Sequence, residues 1–326
     1  MIIIGYLILA VIVMGFSIQL SNYVDIIDKR TSISGAFIGG VILAAITSLP
    51  ELFTSISATA LLGQPELVIG NILGSDIFNT AVLASLFLAF PKRFRRARIG
   101  ASHNLSLVLV AAIYLYLIVV LGLGLEFTIF NVSIHSIVLL AVYLYGVRTM
   151  SADDGVSNSD DGASSQLSMK QIIFRFVLCS VGLVAASIAL TYATDAIASR
   201  YQIGTTLAGA LLLGVATSLP ELTSSINLAK LGNFNAMTGN ILGSNLFNFA
   251  ILTVADLTYA GGSLYVTTSQ TWMLLIFGLA SAIFIAMPIL YKSKGRRKYP
   301  RLRKTIYFIP PALVLASYFA FLALSV

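Results

Sequence analysis

The sequence GNILGSDIFN at residues 70–79 returns almost unchanged as GNILGSNLFN at residues 239–248. A shorter stretch, TSLPEL, stands upstream of each copy, at residues 47–52 and again at 217–222. The two copies of TSLPEL are separated by 170 positions and the two longer stretches by 169. Two matches in the same order at nearly the same separation indicate that one structural unit is present twice.

The composition is that of a membrane protein. Of the 326 residues, 58% are hydrophobic and 10% are charged, whereas a soluble domain carries about 25% charged residues. Ten apolar segments are each long enough to cross a bilayer about 30 Å thick. We expect these spans at residues 2–24, 34–62, 66–90, 102–123, 128–148, 171–196, 204–230, 235–260, 269–291 and 305–325. The sequence therefore predicts an all-α membrane protein with ten transmembrane helices.

The ten segments divide into two halves of five. Residues 1–150 hold the first repeat and residues 169–326 hold the second. Between them, residues 151–168 are acidic and rich in Ser and Gly, which predicts a flexible linker. Because five is an odd number, the second repeat must enter the membrane in the opposite direction from the first. Inverted-topology repeats of this kind are typical of secondary transporters, which bind their substrate near the midplane between the repeats.

The basic residues predict how the chain is oriented. With the N-terminus outside, every Lys and Arg except Arg200 falls in or beside a cytoplasmic link, in agreement with the positive-inside rule. Both termini then lie outside and the acidic linker is cytoplasmic, in a multi-pass protein of the plasma membrane. The net charge of +7 is thus a topology signal, and no nucleic acid is expected as a partner. The single Cys179 excludes an internal disulfide.

The TSLPEL copies place a proline and a glutamate inside apolar segments. Pro50 and Pro220 lack a backbone N–H and crowd the carbonyl four residues earlier, which opens the helix. In a membrane, released carbonyl oxygens need a partner, and a cation can be that partner. A charge in hydrocarbon costs about 2.5–3.5 kcal/mol on insertion scales, so Glu51 and Glu221 are expected to be functional. Since the core spans hold no Lys or Arg, these oxygens predict a site for a hard cation such as Ca²⁺ or Na⁺.

The residues one and two turns before each glutamate share its helix face. They are Thr47 and Ala44 before Glu51, and Thr217 and Gly214 before Glu221. A second polar stripe, with a spacing of four, runs along each longer stretch. It consists of Asn71, Ser75 and Asn79 in the first repeat, and of Asn240, Ser244 and Asn248 in the second. These side chains can complete an oxygen cage around a cation or can bond neighbouring helices, and both readings stay open for Asn71 and Asn240.

Two further features of the longer stretches concern packing and symmetry. The pairs Gly70–Gly74 and Gly239–Gly243 match the GxxxG pattern that lets helices approach closely. Asp76 breaks the symmetry, because an asparagine stands at the equivalent position of the second repeat. It lies about 100° round the helix from the polar stripe. We expect a supporting or protonatable role beside the site.

The duplicated TSLPE and GNxxGSxxxN stretches, with five spans in each half, resemble the two repeats of the sodium/calcium exchanger family of cation/calcium antiporters. The resemblance implies that the second, third, seventh and eighth helices surround one central site. It also implies that Glu51 and Glu221 bind Ca²⁺ together with the carbonyls of Thr47 and Thr217. The first and sixth spans would slide against this core and expose the site to either side.

The same resemblance implies flanking Na⁺ sites. One would use Ala44, Thr47, Ser75 and Glu51, and the other Gly214, Thr217, Ser244 and Glu221. Ser48 and Ser218 fall on further ligand positions of the family, and Asn79 and Asn248 close the middle of the cage. Some relatives have an aspartate at one of these last two positions, where this chain has asparagine at both.

The expected activity is therefore secondary-active exchange of Ca²⁺ for Na⁺ by alternating access. Protons can compete for the same carboxylates, so an H⁺-coupled cation antiporter on the same site is the alternative, and a cation channel is a third interpretation. The chain lacks the P-loop of an ATP-driven pump. We expect no enzymatic activity, no cofactor besides the transported ions, and no obligate protein partner apart from the surrounding bilayer.

Overall fold

The helices and strands of the protein come from a computed structural model, which describes residues 2–30, 43–97, 99–100, 102–129, 132–151, 168–293 and 303–325. The first half contains α1 (Ile2–Arg30), α2 (Leu43–Thr47), α3 (Leu49–Ile56), a π-helical turn (Ser57–Leu61), α4 (Pro65–Ala89), α5 (Pro91–Arg96), α6 (Ser102–Gly122) and α7 (Ile134–Ser151). The second half contains α8 (Met169–Tyr201), α9 (Thr205–Ala208), a π-helical turn (Gly209–Leu213), α10 (Gly214–Thr217), α11 (Leu219–Lys230), α12 (Phe234–Thr258), α13 (Ser269–Ser293) and α14 (Arg303–Ser325).

The long helices are those of a multi-pass membrane protein, as predicted. In the described part of the chain, seven helices are long and apolar enough to cross a bilayer, namely α1, α4, α6, α8, α12, α13 and α14. The segment from α9 to α11 adds an eighth span if its two parts, which meet at an angle of 44°, count as one. The apolar helix α7 is shorter, and residues 34–42 of the predicted second span lie outside the described residues. The count of ten spans and the inverted relation of the two halves stay predictions.

The fifth predicted span differs in where it begins. We expected a helix from residue 128, whereas the chain forms a short antiparallel pair of strands, β1 (Thr128–Ile129) and β2 (Val132–Ser133), before α7 starts at Ile134. The side chain of Asp256, from α12, explains this start, because one of its oxygens accepts the backbone N–H of Ser133 at 2.7 Å and the hydroxyl of Ser136 at 2.7 Å. The start of a helix leaves backbone N–H groups without intrahelical partners. Here a carboxylate from a helix distant in sequence accepts such a group.

The predicted linker is described only at its two ends. Ser151 is the last residue of α7, and Ser168 caps α8 by accepting the backbone N–H of Gln171, whose side chain in turn accepts the N–H of Ser168. This reciprocal capping box satisfies two N–H groups that a helix start leaves without partners. Residues 152–167 lie outside the described residues.

Helices α4 and α12, which carry the duplicated GNILGS stretches, form the centre of the protein. In their apolar windows 78% of the residues are buried, against 22% in α1 and α8. Helices α1 and α8 pack mainly against each other and leave one face outward. The most polar of the long apolar helices are therefore the innermost, which is the arrangement expected when polar side chains in a membrane face the protein interior.

We call the segment from α2 to α3 the first broken helix and the segment from α9 to α11 the second broken helix. Glycine lets α4 approach the second broken helix at backbone distance. A Cβ atom on Gly70 would lie 2.0 Å from the carbonyl oxygen of Thr206, and one on Gly74 would lie 2.4 Å from the Cα atom of Ala210. The predicted packing role of Gly70 and Gly74 is confirmed, because both contacts are with backbone and cannot be relieved by turning a side chain. Gly239 is less tightly enclosed, since its nearest contact is the side chain of His103 at 3.0 Å.

The Gly74 contact predicts a large difference between two glycine-to-alanine changes. Gly74→Ala forces α4 away from the second broken helix and should lower stability by about 1–3 kcal/mol, the usual cost of overpacking. The matched control is Gly15→Ala in α1, where nothing lies within 4 Å of the added atom, so the higher helix propensity of alanine should stabilise by up to about 1 kcal/mol. Thermal unfolding of the detergent-purified variants compares the two. Equal unfolding temperatures would contradict the backbone contact.

Candidate functional site

Two serines mark the breaks in the helices that carry the duplicated glutamates. Ser48 separates α2 from α3 with φ −91° and ψ 11°, and Ser218 separates α10 from α11 with φ −86° and ψ 4°. Each serine is followed by Leu-Pro-Glu, so the proline occupies the second position of the new helix, where a backbone N–H has no intrahelical partner in any case. The breaks therefore occur where the sequence predicts them.

Each glutamate lies in the first turn of the helix that follows its break. Glu51 belongs to the first turn of α3 and Glu221 to the first turn of α11. Both side chains are fully buried. The positive end of a helix dipole favours a carboxylate at this position, so the break places each negative charge where its own helix stabilises it.

The two glutamates are held by serines of the opposite repeat. The hydroxyl of Ser218 donates to Oε1 of Glu51 at 3.0 Å, and the hydroxyl of Ser48 donates to Oε1 of Glu221 at 2.9 Å. The two carboxyl groups are close enough to repel each other electrostatically. Among the described residues no Lys, Arg or His interacts with either glutamate. Two buried carboxyl groups thus lie close together, and neither has a basic partner in the described part of the chain.

In the part of the chain that the structure describes, the second oxygen of each carboxyl group has no hydrogen-bond partner. Among the described residues this holds for Oε2 of Glu51 and for Oε2 of Glu221, both buried. Buried carboxylate oxygens are normally hydrogen-bonded because water no longer solvates them. Two buried carboxylate oxygens without donors, one on each glutamate, are the kind of ligand that a hard cation binds.

The remaining predicted ligands form two groups around the glutamates. The first group consists of Ala44, Thr47, Ser48, Ser244 and Glu221. Ser244 Oγ lies 3.3 Å from Glu221 Oε1, 3.5 Å from the carbonyl oxygen of Ala44 and 3.4 Å from Thr47 Oγ1. The side chain of Thr47 also interacts with the carboxyl group of Glu221.

The second group consists of Gly214, Thr217, Ser218, Ser75 and Glu51. Ser75 Oγ donates to the carbonyl oxygen of Gly214 at 3.1 Å, and the side chain of Thr217 interacts with the carboxyl group of Glu51. All the residues named as candidate ligands from the sequence are buried, and the helix breaks bring them together in these two groups and the asparagine pair described below.

The grouping differs from the one implied by the family resemblance, which joined Ala44 and Thr47 with Ser75 and Glu51. In the structure, Ala44 and Thr47 lie with Ser244 and Glu221, and Gly214 and Thr217 lie with Ser75 and Glu51. The helix breaks explain this change of partners. The part of each broken helix before its break packs beside α4 or α12 of the other repeat. Its oxygens therefore meet the serine and the glutamate of the other repeat.

The polar stripes of α4 and α12 divide into two kinds of residue. Asn71 is fully engaged in bonds between helices, because its amide nitrogen lies 3.1 Å from Thr54 Oγ1 and 3.2 Å from Ser55 Oγ, and its oxygen accepts from Thr217 at 3.4 Å. Asn240 donates to Ser225 Oγ at 3.4 Å, while its amide oxygen has no partner among the described residues. The structure therefore assigns the interhelical role to Asn71.

Asn79 and Asn248 instead use only their amide nitrogens for hydrogen bonds within the described residues. Their amide nitrogens donate to Asn245 Oδ1 at 3.1 Å and to Asp76 Oδ1 at 2.9 Å. Their amide oxygens are buried and have no partner in the part of the chain that the structure describes. Asn79 and Asn248 follow Ser75 and Ser244 by one helical turn on the same face, so both residues lie one turn along from the serines of the two groups around the glutamates.

The chemistry of the site is thus two carboxylates surrounded by neutral oxygens. Within the described residues no three His, Cys, Asp or Glu side chains come together as a metal-binding group. A cation held here would take the remainder of its coordination from hydroxyl, amide and carbonyl oxygens. The sequence did not predict that Asn245 would bond both Asn79 and Thr80, although the duplication marks Asn245 as the counterpart of Asp76.

Comparison with known proteins adds evidence from both sequence and fold. A profile of the family described as "Sodium/calcium exchanger protein" matches residues 1–150 and 172–326. The putative antiporter CaxA of Alkalimonas amylolytica is 29% identical over 263 residues, which cover 78% of this chain and 82% of that protein. The inner membrane protein YrbG of Escherichia coli K12 is 24% identical over 235 residues, 70% of each chain.

Two solved transporters share the fold. The sodium-calcium exchanger NCX_Mj superposes with a TM-score of 0.62 at 22% identity, over 99% of both chains. The H⁺/Ca²⁺ exchanger CAX superposes with a TM-score of 0.69 at 13% identity, over 99% of this chain and 88% of that one. Since the family profile extends over both repeats, this chain belongs to the sodium/calcium exchanger protein family, whose members are ion antiporters of the membrane and not enzymes.

Proposed function

We propose that this protein exchanges Ca²⁺ for Na⁺ across the membrane by alternating access, with one cation site between its two repeats. The observation that carries the proposal is the pair of buried glutamates, each held by a serine of the opposite repeat and each with a free oxygen. Two negative charges in a membrane interior are costly unless cations occupy the site for at least part of the transport cycle.

The Ca²⁺ ligands in this proposal are side-chain and backbone oxygens at the centre. They are the carboxylates of Glu51 and Glu221, the backbone carbonyls of Thr47 and Thr217, and the amide oxygens of Asn79 and Asn248. Ca²⁺ takes six to eight oxygen ligands in a flexible geometry, and this set can supply that number. The two charges of the glutamates match those of one Ca²⁺.

Na⁺ would occupy the two groups beside the centre. The first is built from Ala44, Thr47, Ser48, Ser244 and Glu221, and the second from Gly214, Thr217, Ser218, Ser75 and Glu51. Each group combines one glutamate with neutral hydroxyl and carbonyl oxygens, which suits a monovalent hard cation. Because both groups share their glutamates with the central site, Na⁺ and Ca²⁺ compete for the same charge, and this competition is the physical basis of exchange.

Alternating access would come from movement of α1 and α8 against the central helices. These two helices pack mainly against each other and bury little of their surface. Their polar bonds to the broken helices are few in the described chain, and include Tyr6 to the carbonyl of Leu212 at 2.8 Å and Thr191 to the carbonyl of Thr54 at 3.5 Å. A pair of helices with a lipid-facing surface and few directional bonds can shift as a unit.

Proton coupling on the same site is the second candidate. It is favoured by the fold shared with the H⁺/Ca²⁺ exchanger and by the two buried glutamates, because protons need only the carboxylates. The many neutral oxygens beside each glutamate favour Na⁺ as the coupling ion, since a proton would leave them without a ligand.

The glutamates predict the outcome of two isosteric substitutions. Glu51→Gln and Glu221→Gln each remove one charge from the central site but keep an oxygen that can accept from Ser218 or Ser48. Ca²⁺ uptake into proteoliposomes should fall to background, while the variants stay folded. Glu126→Gln, in the exposed segment after α6, is the matched control and should transport like the parent. Normal uptake by either site variant would remove the central site from the proposal.

The coupling ion can be read from the same vesicles. With Na⁺ inside and none outside, Ca²⁺ uptake should occur and should disappear when K⁺ replaces Na⁺. Uptake driven by a pH gradient without Na⁺ would instead favour proton coupling. Flux far above transporter turnover, without any counter-ion, would mean that the protein is a channel.

Orientation is also a proposal, with both termini outside and residues 151–168 in the cytoplasm of the cell whose plasma membrane holds the protein. The single cysteine makes the test simple. In a Cys179→Ser background, Ser157→Cys should react with an impermeant maleimide only after the membrane is opened, whereas Glu126→Cys should react in intact cells. The reverse pattern would invert the proposed topology.

A further inference from the structure

The amide side chains of Asn79 and Asn248 can turn either an oxygen or an NH₂ group toward the site. Only the oxygen can bind a cation, so a turned amide would place two N–H donors against the bound ion. Something must fix the orientation. In each case the neighbour on the far side of the amide is a buried residue of the opposite repeat.

The two neighbours occupy equivalent positions of the duplicated stretch. Asp76 Oδ1 accepts the amide N–H of Asn248 at 2.9 Å, and Asn245 Oδ1 accepts the amide N–H of Asn79 at 3.1 Å. Asp76 and Asn245 are both 1% exposed, and Asn79 and Asn248 are fully buried. The contacts therefore cross between the repeats, as the contacts of the glutamates and serines do.

We propose that Asp76 and Asn245 are positioning residues that hold the amide oxygens of Asn248 and Asn79 toward the cation site. This inference rests on the proposed cation site and assigns these two residues no direct contact with the ion. Supporting partners outside the ligand shell orient metal ligands in many proteins, and their loss typically weakens metal binding by about 10- to 100-fold.

The surroundings of the two residues explain why one is an aspartate and the other an asparagine. The amide nitrogen of Asn245 faces two acceptors, the carbonyl oxygen of Asp76 at 3.2 Å and Thr80 Oγ1 at 3.1 Å. Thr80 is free to accept there because its own hydroxyl donates to the carbonyl oxygen of Asp76 at 2.8 Å. Two acceptors on one side leave the oxygen of Asn245 facing Asn79.

The second repeat has no such hydroxyl at the corresponding place. Phe249 stands at the position equivalent to Thr80, and its ring packs edge-on against Tyr114 of α6, with the centroids 5.3 Å apart. The hydroxyl of Tyr114 is near the carboxyl group of Asp76, but among the described residues neither this hydroxyl nor Oδ2 of Asp76 has a hydrogen-bond partner. A carboxylate does not need acceptors to orient it, because both of its oxygens accept and neither can present an N–H to Asn248. An asparagine therefore suits the position where two acceptors fix its amide, and an aspartate suits the position where the hydroxyl acceptor is replaced by a phenylalanine.

The test separates the hydrogen-bond acceptor of Asp76 from its charge. Asp76→Leu removes the acceptor and should raise the KM for Ca²⁺ about tenfold or more, with a smaller change in maximal rate. Asp76→Asn keeps an acceptor oxygen and should recover most of that affinity. If Asp76→Asn is as damaged as Asp76→Leu, the charge matters and the inference is wrong.

A double-mutant cycle shows whether Asp76 acts through Asn248. Asn248→Ala should weaken Ca²⁺ uptake on its own, and Asp76→Leu should add nothing to it, because the residue it positions is gone. Losses that multiply in the double variant would overturn the inference. Asn245→Leu with Asn79→Ala repeats the cycle in the other half and decides the question if Asp76→Leu does not fold.

The parent protein and Glu51→Gln, run in parallel, keep the two proposals distinguishable. A parent that takes up no Ca²⁺ would refute the proposed exchange. The shift in unfolding temperature on adding Ca²⁺ or Na⁺ then still reports whether Asp76→Leu and Asp76→Asn differ in cation binding. An active parent with an unchanged Asp76→Leu would refute the positioning role alone.

Discussion

The structure depends on the burial of two carboxyl groups that each rely on the other repeat. A charged group inside a membrane protein needs hydrogen bonds from its surroundings, and the donors here are Ser48 for Glu221 and Ser218 for Glu51. Each serine stands at a helix break with a proline two residues later. The residues of TSLPE therefore act as one unit, and neither copy completes its own site.

This mutual dependence sets the demands on the neighbouring helices. The broken helices must lie against α4 and α12, and the small residues of those helices allow the approach, as with Gly74 against Ala210. The polar stripes of α4 and α12 then face the breaks and add hydroxyl and amide oxygens. The helices with polar stretches are consequently innermost, while α1 and α8 are left at the periphery with one face outward.

Much of the site was predictable because its residues are local in sequence. Helical periodicity places Ser75 with Asn79 on one face of α4, whereas Thr47 and Glu51, expected on one face, are separated by the break at Ser48. Periodicity does not say which helix that face meets, and this is why the predicted grouping of Ala44 and Thr47 with Ser75 differs from the observed grouping with Ser244. The start of α7 was misplaced for the same reason, since Asp256 lies far from it in sequence.

By itself, the sequence determined the class of protein and the duplication, and it singled out the two glutamates as candidate cation ligands, because composition, repetition and spacing are properties of the chain alone. Only the tertiary structure decided which serine holds which glutamate, that Asn71 bonds helices while Asn79 and Asn248 keep free oxygens, and that Asp76 faces Asn248. These contacts join residues more than 100 positions apart or on different helices. They depend on how the two repeats pack, which no local pattern encodes.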